Sequence, residues 1–183
     1  MDRDGEYFAA LGLWLYRQLR HDIINHLQVV AGMIQLGKEE KALEYIWQVS
    51  DALNREGQIT RIKGEGVALV LLTLLRTLPQ KGVSFSWAVD TDLADYQGSF
   101  WELGMYLYRL VSFFQEKAVG RGELSLELSE KEKGYLLVLQ WQGPAAPELV
   151  EVLRAYPPPS LGRFLAVETK GGKIEVSCLL AKG

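Results

Sequence analysis

The stretch "RQLRHDIINHLQVVAGMIQLG", residues 17–37, decides the fold of the N-terminal part of the chain. It contains both histidines of the chain, His21 and His26, and it has no proline. Apolar residues recur every three or four positions through it and upstream of it, which is typical of an amphipathic helix. These residues predict one long helix over 6–36, on the order of 45 Å at about 1.5 Å per residue, with Gly37 as its C-terminal cap.

A second helical pattern runs from about Glu39 to Ile62 and has its own apolar stripe. Two long helices joined by a glycine turn predict an antiparallel helical hairpin. Such a hairpin cannot enclose a core by itself, so its apolar face needs a partner. Pairing two hairpins into a four-helix bundle is the simplest solution, and it predicts a homodimer.

The pattern changes after the hinge "KGEG" at 63–66. Short apolar helical segments then alternate with strand-like segments, two of which flank the charged turn "EKEKG". We therefore predict a helical hairpin domain over 1–63 and an α/β domain over 67–183. In the second domain helices would cover one face of a mostly antiparallel sheet, so the fold class is α+β.

The composition excludes several kinds of protein. Nearly half of the 183 residues are apolar, which is enough to bury a core. The net charge is −3 and no block of Lys and Arg stands out, so nucleic acid is not an expected partner. The apolar run near the N-terminus is too short to span a bilayer and lacks the layout of a signal peptide, so we predict a cytoplasmic protein without a membrane segment. Cys178 is the single cysteine, which excludes a disulfide framework and a thiolate metal site.

The two histidines face different surroundings on a helical wheel of about 100° per residue. His21 lies on a polar face, with apolar positions roughly 120° to 200° away from it. His26 falls inside the apolar half, where it is best interpreted as a partly buried, hydrogen-bonded core histidine. Taken alone, His21 could equally be an ordinary exposed histidine, but its neighbours favour a chemical role.

The neighbours of His21 suit nucleophilic chemistry. A neutral imidazole with one free ring nitrogen is a nucleophile. Asp22 can accept the other ring proton, fix the tautomer and stabilise positive charge as an N–P bond forms. Asn25, one turn further on, can hydrogen-bond a phosphoryl oxygen or position a water. We therefore predict His21, Asp22 and Asn25 as catalytic residues.

The polar face around His21 also suits a phosphorylated protein partner. Arg17 or Arg20 can offset phosphate charge, and Arg17 is better aimed. Arg20 points closer to the apolar side, where it could instead snorkel or face a second copy. Gly32 would let another backbone come close, or would serve helix packing. The predicted partner-binding residues are Arg17, Gln18, Arg20, Gln28 and Gly32.

Other chemistries fit the sequence poorly. Two histidines five residues apart do not share a helical face, so a zinc pair of the i, i+4 type is absent. The chain also has no G-x-S-x-G motif and no P-loop motif.

The segment "LRHDIINHLQVVAGMIQLGKEEKALEYI", residues 19–46, resembles the H-box hairpin of the sporulation initiation phosphotransferase B family. It also resembles the dimerisation segment of citrate/fumarate-type sensor histidine kinases. The pattern R-H-D-x-x-N-x-L-Q carries the resemblance. It implies that His21 accepts the phosphoryl group, that the hairpin dimerises, and that response regulators are the partners. The magnesium of such a transfer belongs to the response regulator, so no metal or cofactor is expected on this chain.

The second domain resembles a histidine-kinase ATPase domain that lacks the residues for nucleotide. That family holds magnesium and phosphates with an asparagine on its main helix, where this chain has Phe113 or Phe114. An aspartate in a D-x-G-x-G turn reads adenine there, but its place falls on Trp141 and only Gly143 remains. Gly162 is the only lid-like glycine before the last predicted strand. We interpret Phe113, Phe114 and Trp141 as core residues.

The predicted function is that of a phosphorelay phosphotransferase in sporulation-type two-component signalling. The phosphoryl group would pass from the aspartyl phosphate of one response regulator through His21 to the aspartate of a second regulator. The sequence begins directly at the hairpin, which favours a phosphotransferase over a kinase. Two alternatives stay open: a non-catalytic module that binds response regulators, and a sensor histidine kinase with a divergent nucleotide site.

Overall fold

The computed structural model divides the chain into two compact units, Met1–Thr60 and Arg61–Gly183. The first unit is helical and the second combines helices with one sheet, so the α+β class is confirmed. The structure describes residues 3–117, 121–144, 148–156 and 162–183.

The first unit is the helical hairpin that the apolar periodicity predicts. Helix α1 runs from Arg3 to Gln35 and has 33 residues, which gives a length of roughly 50 Å. Helix α2 spans Glu39–Ile59. It ends three residues before Ile62, because Thr60 already caps it and the chain then turns.

Gly37 makes the turn between the two helices possible. Its φ is +66°, in the left-handed region that glycine adopts without a steric penalty. The N–H of Gly37 donates to the carbonyl oxygen of Ile34, and the N–H of Lys38 donates to that of Met33, both at 2.9 Å. This is the Schellman pattern of a helix C-terminus. Helix α2 begins directly afterwards, with Glu39 and Glu40 in its first turn, where negative charge is favourable.

The hairpin buries little of its apolar surface. In the part of it that the structure describes, only Ala42 and Ile59 are fully buried. All the large apolar side chains that are exposed among the described residues of the chain belong to this unit. Exposed apolar surface on this scale marks an interaction surface. The side chains are Tyr7, Leu13, Tyr16, Ile23, Ile24, Leu27, Val29, Ile34, Leu36, Leu43, Ile46, Trp47 and Leu53.

The second unit is built on a five-stranded sheet with the strand order β1-β2-β3-β5-β4. Strands β1 and β2 are parallel, and the other neighbouring pairs are antiparallel. The elements are α3 (Glu65–Thr77), a 3-10 turn (Pro79–Lys81), β1 (Val83–Val89), α4 (Phe100–Lys117), β2 (Gly122–Lys131), β3 (Gly134–Gln142), α5 (Leu149–Ala155), β4 (Gly162–Lys170) and β5 (Lys173–Leu180).

The core of this unit lies between the sheet and the helices. Strands β2, β3 and β5 bury every second side chain, as expected for a sheet with one covered face. On the helices, the apolar residues that face this layer are fully buried as well. The largest buried side chains are Trp141, Tyr135, Phe114, Leu71, Leu78, Leu93, Leu103, Leu107, Leu110, Leu124 and Leu126.

Strand β4 is the element that the sequence interpretation missed. Gly162, taken there as a lid-like glycine, is the first residue of this strand and pairs with Leu180. The pairing slips between Phe164 and Ala166, and such a bulge interrupts the two-residue alternation by which strands are recognised. The preceding "PPPS" break lies outside the described residues.

Candidate functional site

His21 lies in the middle of α1 and its side chain is 70% exposed. Its Nδ1 is 3.1 Å from Nδ2 of Asn25 and 3.6 Å from Oδ1 of Asp22. Asn25 reaches the ring because residues four apart are neighbours on a helix surface. Both polar neighbours therefore meet the same ring nitrogen. Among the described residues, Nε2 has no hydrogen-bond partner and is left to solvent.

This arrangement bears directly on the tautomer of His21. When the proton is on Nδ1, the carboxylate of Asp22 attracts it and Nε2 carries the lone pair. When the proton is on Nε2, the amide of Asn25 donates to Nδ1. The first tautomer is the one with a nucleophilic lone pair on Nε2, and the negative charge of Asp22 favours it. In that tautomer the lone pair of Nε2 faces solvent.

Three of the predicted partner-binding residues share the side of α1 that carries His21. Arg17 and Gln28 are exposed, one turn before and two turns after His21. Gly32 follows three turns after His21, and nothing lies within 4 Å of the place where a Cβ would stand. A packing role for Gly32 inside the hairpin is therefore not seen. Together with His21 and Asn25, these residues form what we call the His21 face.

The other two predicted partner-binding residues lie beside this face. Gln18 is half-buried, because its position on α1 turns it toward the hairpin interface. Arg20 is exposed, but on a helical wheel it is about 100° from His21 on the side of the exposed apolar residues. The structure therefore places Arg17, rather than Arg20, on the same side of α1 as His21.

His26 occupies the interface of the hairpin, as expected for a partly buried core histidine. Its Nδ1 is 2.8 Å from the hydroxyl of Tyr45 on α2, and the two ring centroids are 5.8 Å apart. Sequence analysis did not identify Tyr45. A signal was available, because a polar side chain on an apolar helix face needs a partner. Counting the same distance beyond Gly37 leads to Gln48, about one turn past Tyr45, so this count does not identify the partner.

The three aromatic residues that stand where the family resemblance implies nucleotide contacts pack against neighbouring residues of the second unit. Trp141, near the end of β3, is 1% exposed, and its indole ring lies against Gly122 and Gly143. Phe114 of α4 is equally buried, with its ring centroid 6.1 Å from that of Trp141. Phe113 is half-buried and packs edge-on against Tyr156, at 5.1 Å. All three are packing residues, as interpreted from the sequence.

Two buried tyrosines of the second unit have raised pKa values. Burial, with smaller contributions from Glu102 and Cys178, raises the pKa of Tyr96 to about 12. Burial raises the pKa of Tyr106 even further above its usual value. Both hydroxyls therefore stay protonated. In the part of the chain that the structure describes, no three His, Cys, Asp or Glu side chains converge as metal ligands. No described helix is both long enough and apolar enough to cross a membrane.

Residues 10–62 match the family model described as sensor kinase SpoOB-type, alpha-helical domain. The match covers 53 of the 183 residues, and it includes most of the hairpin. The matched residues include the whole His21 face and all of α2. The family suggested by the R-H-D-x-x-N-x-L-Q pattern is thereby confirmed. No curated protein is significantly similar in sequence to the chain.

Several solved structures are similar in fold to the chain. The catalytic domain of histidine kinase ThkA, in a nucleotide-free form, has a TM-score of 0.51 and 13% identity over 64% of this chain and 90% of that chain. Another nucleotide-free form has a TM-score of 0.52 and 12% identity over 66% and 93%. Histidine kinase ThkA in complex with the response regulator TrrA has a TM-score of 0.48 and 15% identity over 99% and 64%. The first two likenesses show the fold of a histidine-kinase catalytic domain.

The close contact between Gly122 and the indole ring of Trp141 predicts an effect on stability. A Cβ at Gly122 would collide with the indole ring, so we expect Gly122→Ala to lower the free energy of unfolding by about 1–3 kcal/mol. Urea unfolding followed by far-UV circular dichroism measures this change.

The collision itself is tested with Trp141→Leu as the background. Leucine takes less space beside residue 122, so adding Gly122→Ala to Trp141→Leu should cost less than about 0.5 kcal/mol. An equal cost of Gly122→Ala in both backgrounds would show that the indole ring does not explain it.

Proposed function

We propose that the protein is a phosphorelay phosphotransferase in which His21 carries the phosphoryl group. It takes the group from the aspartyl phosphate of one response regulator and passes it to the aspartate of a second. The observation that carries this proposal is the exposed His21 ring, with Nδ1 between Asp22 and Asn25 and with Nε2 open. His21 also lies within residues 10–62, which match the SpoOB-type helical domain, and this match supports the same function. Sporulation-type two-component signalling is the setting that the family resemblance suggests.

The transfer proceeds by displacement at phosphorus. The Nε2 lone pair of His21 forms the N–P bond while the P–O bond to the donor aspartate breaks, and the donor carboxylate leaves as an anion. The imidazole becomes positively charged, and Asp22 stabilises that charge by holding the proton on Nδ1. Positioning and charge neutralisation do most of the work in such a reaction. Transfer to the acceptor aspartate is the same displacement in reverse.

Residues around His21 would serve the docked regulator. Arg17 is exposed one turn away and can offset phosphate charge. The magnesium ion is supplied by the regulator, so this chain binds no metal or cofactor of its own. Asn25 contacts Nδ1, so its first role is to orient the ring. Because receiver domains act in the cytoplasm, we place the protein there.

The apolar face of the hairpin supports a homodimer. On α1, four exposed apolar residues fall within about 40° of one another on a helical wheel. This stripe lies roughly 120° to 160° from His21. Two copies packed through it would form a four-helix bundle and leave each His21 face open to regulators. The stripe consists of Tyr16, Ile23, Leu27 and Ile34.

A sensor histidine kinase is the second candidate, because the fold resembles histidine-kinase catalytic domains. The buried Trp141 and Phe114 oppose it, since they stand where the family resemblance implies polar residues that contact nucleotide. Radiolabelled ATP distinguishes the two functions: label on the protein without any regulator present would favour the kinase. A non-catalytic binding module is distinguished by His21→Ala, which would then retain its full biological effect.

Phosphoryl transfer is the decisive test of the proposal. A response regulator is phosphorylated on its aspartate with radiolabelled acetyl phosphate. It is then mixed with the purified protein in the absence of ATP. We expect acid-labile label on the wild-type chain and on His26→Ala, and none on His21→Ala, because His21 is exposed whereas His26 is half-buried in the hairpin. Gel autoradiography after rapid quenching measures it.

The regulators for this experiment are the sporulation-type receivers of the source organism. If the phosphorylated regulator binds tightly but no label appears on the wild-type chain, the phosphotransferase function is overturned and the binding module is favoured. Label that persists on His21→Ala would overturn the assignment of the residue.

Gly32 provides a test of the docking face. Alanine fits the open space there and should stabilise α1 by up to about 1 kcal/mol. If a regulator's backbone approaches Gly32, the same methyl group should weaken docking, and we expect the half-saturating regulator concentration to rise about tenfold, near 1.4 kcal/mol. Titration of the transfer rate measures this change.

The matched control for Gly32→Ala is Gly12→Ala. Gly12 also lies in α1 with nothing within 4 Å of its Cβ position, but it is on the opposite side of the helix from His21. We expect no change in half-saturation for Gly12→Ala. Equal half-saturation in both variants would remove Gly32 from the docking face.

The dimer is tested at Leu27, which is 63% exposed in the single chain. A buried, unpaired carboxylate is costly, so Leu27→Asp should weaken dimerisation by at least about 3 kcal/mol. Sedimentation equilibrium should show a dimer for wild type and a monomer for Leu27→Asp at micromolar concentration. Gln48→Asp, on the polar side of α2, is the control and should remain dimeric. A wild-type monomer would contradict the four-helix bundle.

A further inference from the structure

Strand β1 forms one edge of the sheet, and among the described residues no strand lies on its outer side. The N–H of Asp90, directly after β1, donates to the carbonyl oxygen of Leu128 on β2 at 2.9 Å. Successive residues of a strand point their N–H and C=O groups to opposite sides, so the even-numbered residues of β1 bond to β2. The odd-numbered residues therefore turn these groups toward the open edge. One of them, the N–H of Val83, is already bonded to the carbonyl oxygen of Leu78.

The apolar layer of the second unit also ends at this edge. Phe85 and Trp87 of β1 lie opposite Leu124 and Leu126 of β2 in the sheet. The two leucines are only 1% and 2% exposed, whereas the two aromatic side chains are half-buried. A further strand beside β1 would continue this layer and remove the exposed parts of both rings from water.

The two edges of the sheet differ in how they are protected. Native proteins protect an open edge with charged residues, proline or a β-bulge, because its unpaired N–H and C=O groups are available to another strand. Strand β4, at the other edge, has three charged residues and a register shift between Phe164 and Ala166. Strand β1 has seven residues without a charge, a proline or a register shift. The edge at β1 is therefore open to pairing with an added strand.

We propose that β1 is an interaction surface for a second copy of this chain, with the two β1 strands antiparallel and the two sheets joined into one. An edge without charges does not select a charged partner, whereas the sequence VSFSWAV matches itself. When two copies meet about Ser86, Phe85 of each lies opposite Trp87 of the other, and no charges are opposed. Aromatic pairs directly opposite each other stabilise antiparallel strands. The contact uses the same surface on both copies, as two-fold interfaces do.

The direction of the backbone groups selects this register. Residues that exchange hydrogen bonds across an antiparallel pair must both point their N–H and C=O groups at the other strand. Phe85 and Trp87 are both odd-numbered and meet this condition. Centring the contact on Ser86 also pairs the whole strand, with Val83 opposite Val89. A shift by one residue would set odd-numbered residues against even-numbered ones, whose groups are already bonded to β2.

The contact is separate from the apolar stripe of α1 and does not rest on the phosphotransferase function. It spans seven residues in each copy, so it is smaller than a standard interface of about 1,600 Å² and is weak. We expect half-association at about 0.1–1 mM. At micromolar concentration, where the hairpin dimer is measured, the contact therefore adds little.

A cysteine at Ser86 tests the contact directly. In the proposed register Ser86 lies opposite Ser86 of the second copy, in a pair without mutual hydrogen bonds, where the Cα atoms are about 4.5 Å apart and suit a disulfide. Ser86 is exposed, whereas the native Cys178 is buried and does not compete. Leu27→Asp is the background, since it keeps the hairpins apart. After mild oxidation at near-millimolar concentration, a non-reducing gel should show covalent dimer forming about tenfold faster for Ser86→Cys than for Ser84→Cys.

Ser84→Cys and Ala88→Cys are the matched controls, since both positions are exposed and lie on the same face of β1 as Ser86. In the proposed register each lies opposite the other, so two identical copies hold their thiols about 14 Å apart, four residues at about 3.4 Å each. Each control alone should form little covalent dimer, whereas a mixture of the two should crosslink. Equal crosslinking of the three single variants would show random collision and would overturn the proposal.

Amide exchange tests whether another part of the chain already covers the edge. In Leu27→Asp at micromolar concentration, the N–H groups of Phe85 and Trp87 should exchange with deuterium at least about tenfold faster than those of Ser86 and Ala88, which bond to β2. NMR of the ¹⁵N-labelled chain measures these rates. If Phe85 and Trp87 were as protected as Ser86, the edge would be covered within one chain, and pairing with a second copy would be ruled out.

Discussion

The incomplete burial of a two-helix hairpin is the constraint on which the rest of the structure depends. Two helices meet along one line, so a hairpin with apolar residues on more than one side leaves part of them in water. Here Ala42 and Ile59 are the fully buried residues of the described hairpin, while Leu27 and Ile34 stay exposed. In the proposed homodimer a second copy covers that face. The polar side of α1, on which His21 lies, then stays open.

The spacing of residues along α1 decides which histidine is exposed, and this can be predicted from the sequence alone. A helix turns by about 100° per residue, so His21 and His26 must face different ways. The partner of His26 is harder to predict, because it depends on how the turn at Gly37 aligns the two helices. A shift of one residue in α2 would place Glu44 or Ile46 opposite His26 instead of Tyr45. Contacts within one helix could therefore be predicted, whereas the contact between helices could not.

In the second unit, too, local patterns could be predicted from the sequence whereas long-range contacts could not. Its class followed from alternating strands and short apolar helices, and the substituted nucleotide positions were visible as Phe114 and Trp141 in the sequence. Strand β4 could not be predicted, because the register shift between Phe164 and Ala166 interrupts its alternation. The strand is defined by its hydrogen bonds to β5, which a local pattern does not show. The role of Gly122 and Gly143, which leave space for the indole of Trp141, could not be predicted either, because the two glycines are distant in sequence and meet only in the folded sheet.

The indole of Trp141 is held between Gly122, Gly143 and the ring of Phe114 in the core of the second unit. Two buried aromatic rings remove a large apolar area from water, so they stabilise this core. In the proposed phosphotransferase the chemistry belongs to the first unit, where the ring of His21 is exposed. The best-packed residues and the proposed reactive residue then belong to different units of the chain, because a core residue must be buried whereas a residue that meets a partner protein must be accessible.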